Sequence, residues 1–363
     1  IGFLFPGQGS PSHLDGGVLC RRFTELDAVY AAAGLDSRAD PVDTAVAQPA
    51  IVAHSLAGLR LLDRLGVRAA AALGHSLGEI AALHWGGAFD AASALRLAAV
   101  RGRAMAGLGG GNGAMASLGC DAATAAELLG PEGAVIAAYN GAQRTVISGD
   151  AAAVEAVLAR ARERGAATTR LRVSHAFHSP LMAAAGPRLA GELEAMALRP
   201  LARPVVSTVT GAPLEPRADL RRLLEAQLTS PVRFAEAVES ARELADLWIE
   251  VGPGRAVAEL AGEILGAPIV SLDIGGPSFT GLLEAAGAAF VLGAPIDAAF
   301  LFAGRFSRPF DPERPLRFLA NPCETAPVLG GFPATQGGHI GPPLQEISVE
   351  AVVGAQHAAT APG

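Results

Sequence analysis

The pentapeptide Gly74-His75-Ser76-Leu77-Gly78 constrains this chain most. It follows the apolar run Val67 to Leu73 and precedes an Ala/Leu-rich stretch. A serine flanked by glycines between a strand and a helix predicts a sharp turn, because only glycine leaves room for the chain to fold back on itself. Such a turn exposes Ser76 Oγ and sets the backbone N–H groups and dipole of the following helix behind it. The pattern G-x-S-x-G is weak by itself. Its place between strand and helix favours a nucleophile elbow, with a plain strand–helix turn as the competing reading.

The rest of the chain reads as α/β. Gly2 to Phe5 is a short buried strand, ended by Pro6-Gly7-Gln8-Gly9-Ser10. A helix is predicted from Pro49 to about Leu65, a strand over Val67–Leu73, a helix from the elbow through Ala82, and another over Ala91–Met105. Five glycines between Gly107 and Gly113 then interrupt the pattern. Beyond them come a strand at Met115–Leu118, a helix capped by Asp121 running to Leu129, strands at Ala134–Tyr139 and Thr145–Ser148, a helix capped by Asp150 running to Arg164, and a strand at Thr168–Val173. This β-α-β-β-α-β order is the ferredoxin-like split unit, inserted in a larger α/β domain. The larger domain resumes near His175 and includes a strand at Leu247–Val251 before Gly252-Pro253-Gly254. The expected organisation is a catalytic domain over 1–111 and 175–303, an insert over 112–174, an Arg/Pro-rich linker over 304–328 and a Gly/Pro/Ala-rich tail over 329–363.

Composition narrows the function. Of 363 residues half are hydrophobic and 17% charged, which allows a sizeable core and excludes global disorder. The 28 basic residues are all arginine and the acids number 35, a net charge of −7. Nucleic acid is therefore not an expected partner, and lysine chemistry is excluded. Cys20, Cys120 and Cys323 have neither metal nor disulfide spacing, which suits a reducing, cytoplasmic compartment. No charge-free apolar run reaches ~18 residues, so no membrane span is expected. The longest, Ala285 to Ile296, contains Gly and Pro. A start at Ile1 within an apolar run suggests a piece of a longer polypeptide.

A serine needs a base. Of eight histidines, His339 and His357 lie in the tail, His13 in a loop, His54 and His84 on helices, and His75 points away on the sharp turn. His175 and His178 remain, in Ser174-His175-Ala176-Phe177-His178-Ser179-Pro180, a loop between two domains where a cleft can form. A polar loop edge is the competing reading of that loop. No acid stands out as a third member, so a backbone carbonyl could orient the base. Arg101 is either a surface arginine, the reading that suits Arg103, or the partner of a substrate carboxylate.

Taken in order, Phe5-Pro6-Gly7-Gln8-Gly9-Ser10, Gln48-Pro49-Ala50, Gly74 to Glu79, Arg101-Gly102, Asn140-Gly141, His175 to Pro180, Gln227-Leu228 through Arg233, and Glu250 to Pro253 resemble the malonyl-CoA:acyl-carrier-protein acyltransferase family. Within it the chain is similar to an acyltransferase domain of a polyketide synthase, over about residues 1–303. Arg308-Pro309-Phe310 and Arg317 to Cys323 look like the iterative, enediyne-type synthases of antibiotic biosynthesis. The resemblance implies an α/β-hydrolase-like large domain with a ferredoxin-like insert. It implies Ser76 as nucleophile, His178 as base, and Arg101 on the malonyl carboxylate with Gln48 lining the pocket beside it. Backbone N–H groups of Gln8 and Leu77 would form the oxyanion hole, and Gln227 would supply the carbonyl that orients His178. His175-Ala176-Phe177-His178 is similar to the malonyl-selective pattern and makes His175 and Phe177 substrate-contacting residues. No cofactor or metal is implied. The substrates would be malonyl-CoA and the phosphopantetheine thiol of an acyl carrier protein, in cis on the same synthase with a flanking ketosynthase. A serine esterase or thioesterase would share the elbow but have no use for Arg101. A silent docking domain would have no use for Ser76, His178 and Arg101 together.

Overall fold

The computed structural model describes residues 1–108, 112–173 and 175–305. In chain order the strands are β1 (Gly2–Phe5), β2 (Ala71–Gly74), β3 (Gly113–Leu118), β4 (Val135–Gly141), β5 (Arg144–Asp150), β6 (Thr168–Arg170), β7 (Val205–Ser207), β8 (Ala212–Pro213), β9 (Trp248–Glu250) and β10 (Ile269–Ser271). They form two sheets.

The first sheet has the order β10-β9-β1-β2-β7-β8 and is parallel up to the final β7–β8 pair. Strands β1, β2 and β9 are buried at every position. That is the behaviour of a parallel sheet covered on both faces, and it explains apolar runs such as Gly2-Phe3-Leu4-Phe5 that do not alternate. The C-terminal ends of β1, β2, β7 and β9 open on one edge, where ligands of open α/β sheets bind.

The helix Thr44–Arg64 packs behind this edge with most of its length buried. The sequence reading starts it at Pro49, since proline favours a first turn. It starts at Thr44 because the Asp43 carboxylate caps it, accepting from Ala45 N at 2.9 Å. Pro49 sits inside the helix, so Gln48 is a helical residue. This helix is long and apolar enough to cross a membrane, but it is mostly buried within the protein core. Other edges also move: the strand before the elbow is confined to β2, the helix after it runs Gly78–Gly86, and the strands expected at Thr168–Val173 and Leu247–Val251 shorten to β6 and β9.

The second sheet has the order β4-β5-β3-β6 with antiparallel neighbours throughout. Helices Ala122–Leu128 and Ala151–Glu163 follow β3 and β5, each capped by its aspartate, Asp121 on Thr124 N and Asp150 on Ala152 N. Period-two alternation divides this sheet. Ala114, Ala116, Leu118 and Ile147 join a small core with these helices, whereas Met115 and Val146 join the main core. The Ala138–Val232 bridge ties β4 to the first body through Tyr139 N to Val232 O (2.9 Å) and Val232 N to Ala137 O (2.8 Å). The expected linker at 304–328 beyond residue 305, the tail at 329–363, and with them Arg308 to Phe310, Arg317 to Cys323, His339 and His357, lie outside the described residues.

Candidate active site

Strand β2 ends at Gly74, and the chain turns at once into the Gly78–Gly86 helix. A Cβ on Gly74 would lie 2.1 Å from the Gly78 carbonyl carbon, and one on Gly78 would lie 2.2 Å from the Phe5 carbonyl oxygen. Both glycines are therefore sterically required. Between them Ser76 takes a left-handed backbone with φ +50°. His178 is left-handed too, at φ +60°. Such strain costs about 1–3 kcal/mol per residue and persists where the surroundings over-determine it.

These two residues meet. Ser76 Oγ lies 2.7 Å from His178 Nε2. His178 Nδ1–H donates to the Ser230 carbonyl at 3.0 Å, which leaves Nε2 as the acceptor for the serine proton. Burial, with Arg101 and His75 nearby, pushes the His178 imidazole down to about 3, so the ring is neutral at neutral pH. The sequence reading gave the orienting carbonyl to Gln227. The Gln227 carbonyl also acts on the ring, but the hydrogen bond goes to Ser230, because the Thr229 and Ser230 N–H groups fold back on Ala226 and swing the Ser230 carbonyl inward.

Gln227 contributes its side chain instead. Buried under the elbow, its Nε2 donates to the Ser76 carbonyl (3.1 Å) and to Glu79 Oε2 (2.9 Å). Burial pushes the Glu79 carboxyl up to about 7, against the opposing pull of Ser207, Gln227 and Thr208 hydrogen bonds and the Arg101 charge. Among the described residues, the backbone N–H groups of Gln8 and Leu77 meet no carbonyl.

Arg101 is buried on the Ala91–Ala106 helix, while Arg103 is exposed. Its Nη1 donates to Gln48 Oε1 at 2.9 Å, Gln48 Nε2 to Gln8 Oε1 at 3.0 Å, and Gln8 Nε2 to Thr44 Oγ1 at 2.9 Å. Arginine can only donate, so it fixes both amide orientations down the relay. Desolvation lowers Arg101 to about 10, with Glu79 resisting, and it stays charged at neutral pH. Its Nε–H is buried without a hydrogen-bond partner.

Ser76, His178, Arg101, Gln48 and Gln8 border one cavity of about 190 Å³, while Gln227, Glu79 and Ser230 support it from outside its lining. Gln8, Gln48, Ser76, Arg101, Phe177 and His178 come from the first body. Met115, Ala138, Asn140, Val146 and Leu171 come from the second sheet and its margin. His175 is not brought to this cavity. It lines a neighbouring one with Asn112 and Met182, and its ring stacks at 5.7 Å on Phe177, which does border the site. The chain turns at Phe177 and His178, where His178 is left-handed, and the turn carries the His178 ring to Ser76 while His175, three residues earlier, stays outside the cavity. His75 is also placed differently from the sequence reading. It borders the cavity, and its Nε2 meets Asn140 Oδ1 at 2.9 Å, pinning the elbow to β4.

Sequence reasoning gave no role to Glu79, Ser230 or Asn140. Glu79 follows the elbow glycine directly and was legible as a charge in an apolar helix start. Ser230 acts through its main chain, which leaves no side-chain signal.

An acyl transferase domain profile matches residues 31–259. The chain is 40% identical over 344 residues to the polyketide synthase GfsB of Streptomyces halstedii, covering 84% of this chain and 6% of that one. It is 36% identical to the spectinabilin polyketide synthase system protein NorB of Streptomyces orinoci, covering 82% and 15%. It thus spans a small fraction of these relatives. Among solved structures, the acyltransferase domain of an iterative polyketide synthase in enediyne biosynthesis superposes with TM-score 0.72 at 46% identity, covering 84% of this chain and 73% of that one. The malonyl CoA-acyl carrier protein transacylase of Clostridium perfringens superposes with TM-score 0.75 at 27% identity, covering 80% and 98%.

Proposed function

The chain belongs to the acyltransferase domain family, with polyketide synthases among its homologues, and from that premise we propose that it moves a malonyl unit from malonyl-CoA, through an ester on Ser76, to the phosphopantetheine thiol of an acyl carrier protein. One observation carries the reading: a Ser76–His178 pair at 2.7 Å shares a cavity with a buried arginine that has an unspent N–H. A serine hydrolase has no need of a buried cation there. A carboxylate-bearing acyl group does.

Ser76 Oγ gives its proton to His178 Nε2 and attacks the thioester carbonyl. The oxyanion that forms takes hydrogen bonds from the Gln8 and Leu77 N–H groups, each such donor being worth about 10²–10³-fold in rate. The C–S bond breaks, the CoA sulfur takes the proton from His178, and malonyl-Ser76 remains. In the second half the carrier thiol gives its proton to His178 and attacks the ester, and Ser76 leaves as the alcohol. Thioester, ester and thioester are close in energy, so no external energy source is required. Arg101 holds the malonyl carboxylate throughout, and Gln48 and Gln8 hold Arg101.

The same reading takes the parallel body, 1–111 with 175–303, as α/β-hydrolase-like. It takes 112–174, with strand order β4-β5-β3-β6, as a ferredoxin-like insert. The carrier and a ketosynthase would lie on the same synthase. The test is incubation with radiolabelled malonyl-CoA, then a chase with phosphopantetheinylated carrier protein. Label should stay on the protein until the carrier is added and then move to it. Steady release as free malonate would make the chain a hydrolase.

A further inference from the structure

We infer that the Gln227 side chain is a positioning residue that locks the nucleophile and the base into one frame; this rests on the reading of Ser76 and His178 as the reacting pair. Its buried amide lies between the two strained backbones. On one side Nε2 donates to the carbonyl of Ser76 itself, at 3.1 Å. That carbonyl also accepts from Glu79 N at 2.9 Å, so its direction is fixed twice. On the other side, Gln227 is the second residue of the tight turn, closed on the Ala226 carbonyl, whose Ser230 carbonyl takes the His178 Nδ1–H. One residue therefore connects the main chain of the nucleophile to the loop that sets the tautomer of the base.

The connection is anchored at both ends. Glu79 Oε2 accepts from the same Nε2 at 2.9 Å, and Thr208, which donates to the Gly74 carbonyl at 3.0 Å, lies 3.3 Å from that oxygen. Beyond Ser230, Val232 pairs with β4 and Arg233 N donates to the Thr208 carbonyl at 2.6 Å. Gln227 Oε1 is buried without a hydrogen-bond partner. Two left-handed residues, Ser76 and His178, need such support because neither conformation is held by its own backbone preference. Through Gln227 the support for one is the support for the other.

The experiment compares wild type with Gln227→Met, which keeps the volume and removes the donor. Three quantities are read: the single-turnover rate of Ser76 acylation by malonyl-CoA, KM for malonyl-CoA, and the rate of Ser76 labelling by a fluorophosphonate probe. The acylation and probe rates should both fall about ten- to hundred-fold, the size expected when a reacting pair is misaligned, while KM changes less than about threefold and the unfolding midpoint stays close to wild type. Rates within about twofold of wild type would overturn the inference, as would a loss confined to KM. If Gln227→Met does not fold, Glu79→Ala carries the test, because it leaves the amide but removes its anchor. A fall of about three- to tenfold in both rates at unchanged KM supports the inference, and unchanged rates overturn it. The probe rate does not depend on malonyl-CoA. If wild type takes no malonyl label, the functional reading fails, while a probe rate that still depends on Gln227 leaves the positioning role standing.

Discussion

The parallel sheet and the antiparallel sheet bury apolar surface differently, and the difference divides the work at the cavity. In β1, β2 and β9 every residue is buried, so side chains on those strands are spent on packing and the chemistry is displaced to the strand ends. Gln8 follows β1, Ser76 follows β2, Thr208 follows β7 and the Ala256–Leu265 helix follows β9. In β3 and β5 alternate residues face opposite ways, so Ala116 and Ile147 stabilise the insert while Met115 and Val146 remain free to shape the cavity. The first arrangement sets geometry through the backbone and tolerates little change. The second presents replaceable walls. Substitutions at the strand ends of the first body should therefore break the reaction, and those at the side-chain walls, in the second sheet and at Phe177, should change which acyl group reacts.

The harshest test is Gly78→Ala. The new Cβ on the helix would meet main chain, the Phe5 carbonyl oxygen at 2.2 Å, and β1 cannot move away without unzipping from β2. We expect a loss above about 4 kcal/mol, read by urea unfolding. A stable, active variant would show that the elbow can slide, and the contrast with the insert would weaken.

Next is Arg101→Ala. Removing the buried partner of a carboxylate costs about 2–5 kcal/mol, so malonyl transfer should fall about thirty- to several-thousand-fold, while acetyl transfer, which offers no carboxylate, should fall far less. Equal losses for both acyl-CoAs would make Arg101 structural.

Glu250→Gln probes the wall contributed by β9. This buried carboxyl accepts from Val257 N (3.2 Å), Ala258 N (2.8 Å) and Ser271 Oγ (3.1 Å), and so holds the start of the Ala256–Leu265 helix. Burial raises it from 4.5 to about 7. A carboxyl raised on folding leaves stability whole below the unfolded value, and stability falls as pH rises from about 4.5 to about 7 and is level above. The span is about 3 kcal/mol. The Gln variant should lose the Glu250 part of the slope and keep the part from Glu79, which burial also raises to about 7, measured as unfolding free energy at pH 5 and pH 8. A variant as steep as wild type would assign the slope elsewhere.

The smallest effects belong to the cavity walls. Met115→Ala in the insert and Phe177→Ser beside the base should each shift the malonyl-to-methylmalonyl ratio of kcat/KM toward methylmalonyl by about tenfold, since one methyl is worth ~1–3 kcal/mol. His175→Tyr alone should move the ratio little, because His175 lies outside the cavity lining and stacks on Phe177, which borders it. A large shift from His175→Tyr would show that the stack on Phe177 transmits the choice.

Much of this was legible in the sequence because glycine, capping aspartate and period leave local marks. Gly74 and Gly78 marked the elbow, Asp121 and Asp150 marked the helix starts, and the order of strands and helices in the insert followed from alternation and caps. Pro49 misled because a distant cap at Asp43 outweighed a local preference. The Ser230 carbonyl and the Gln227–Ser76 bond had no sequence mark, since they join residues 52 and 151 positions apart through the way one turn closes. Nor could spacing separate His178 from His175: the two lie in one short loop, and only the fold turns one ring toward Ser76 and the other onto Phe177.

The central claim is that Ser76, activated by His178, carries the acyl group. Intact mass spectrometry after brief exposure to malonyl-CoA tests it on wild type and Ser76→Ala side by side. Removing one hydroxyl at the turn should leave the fold unchanged, which the unfolding transition checks. The account predicts one malonyl adduct on wild type and none on Ser76→Ala. An adduct of the same mass on folded Ser76→Ala would contradict it.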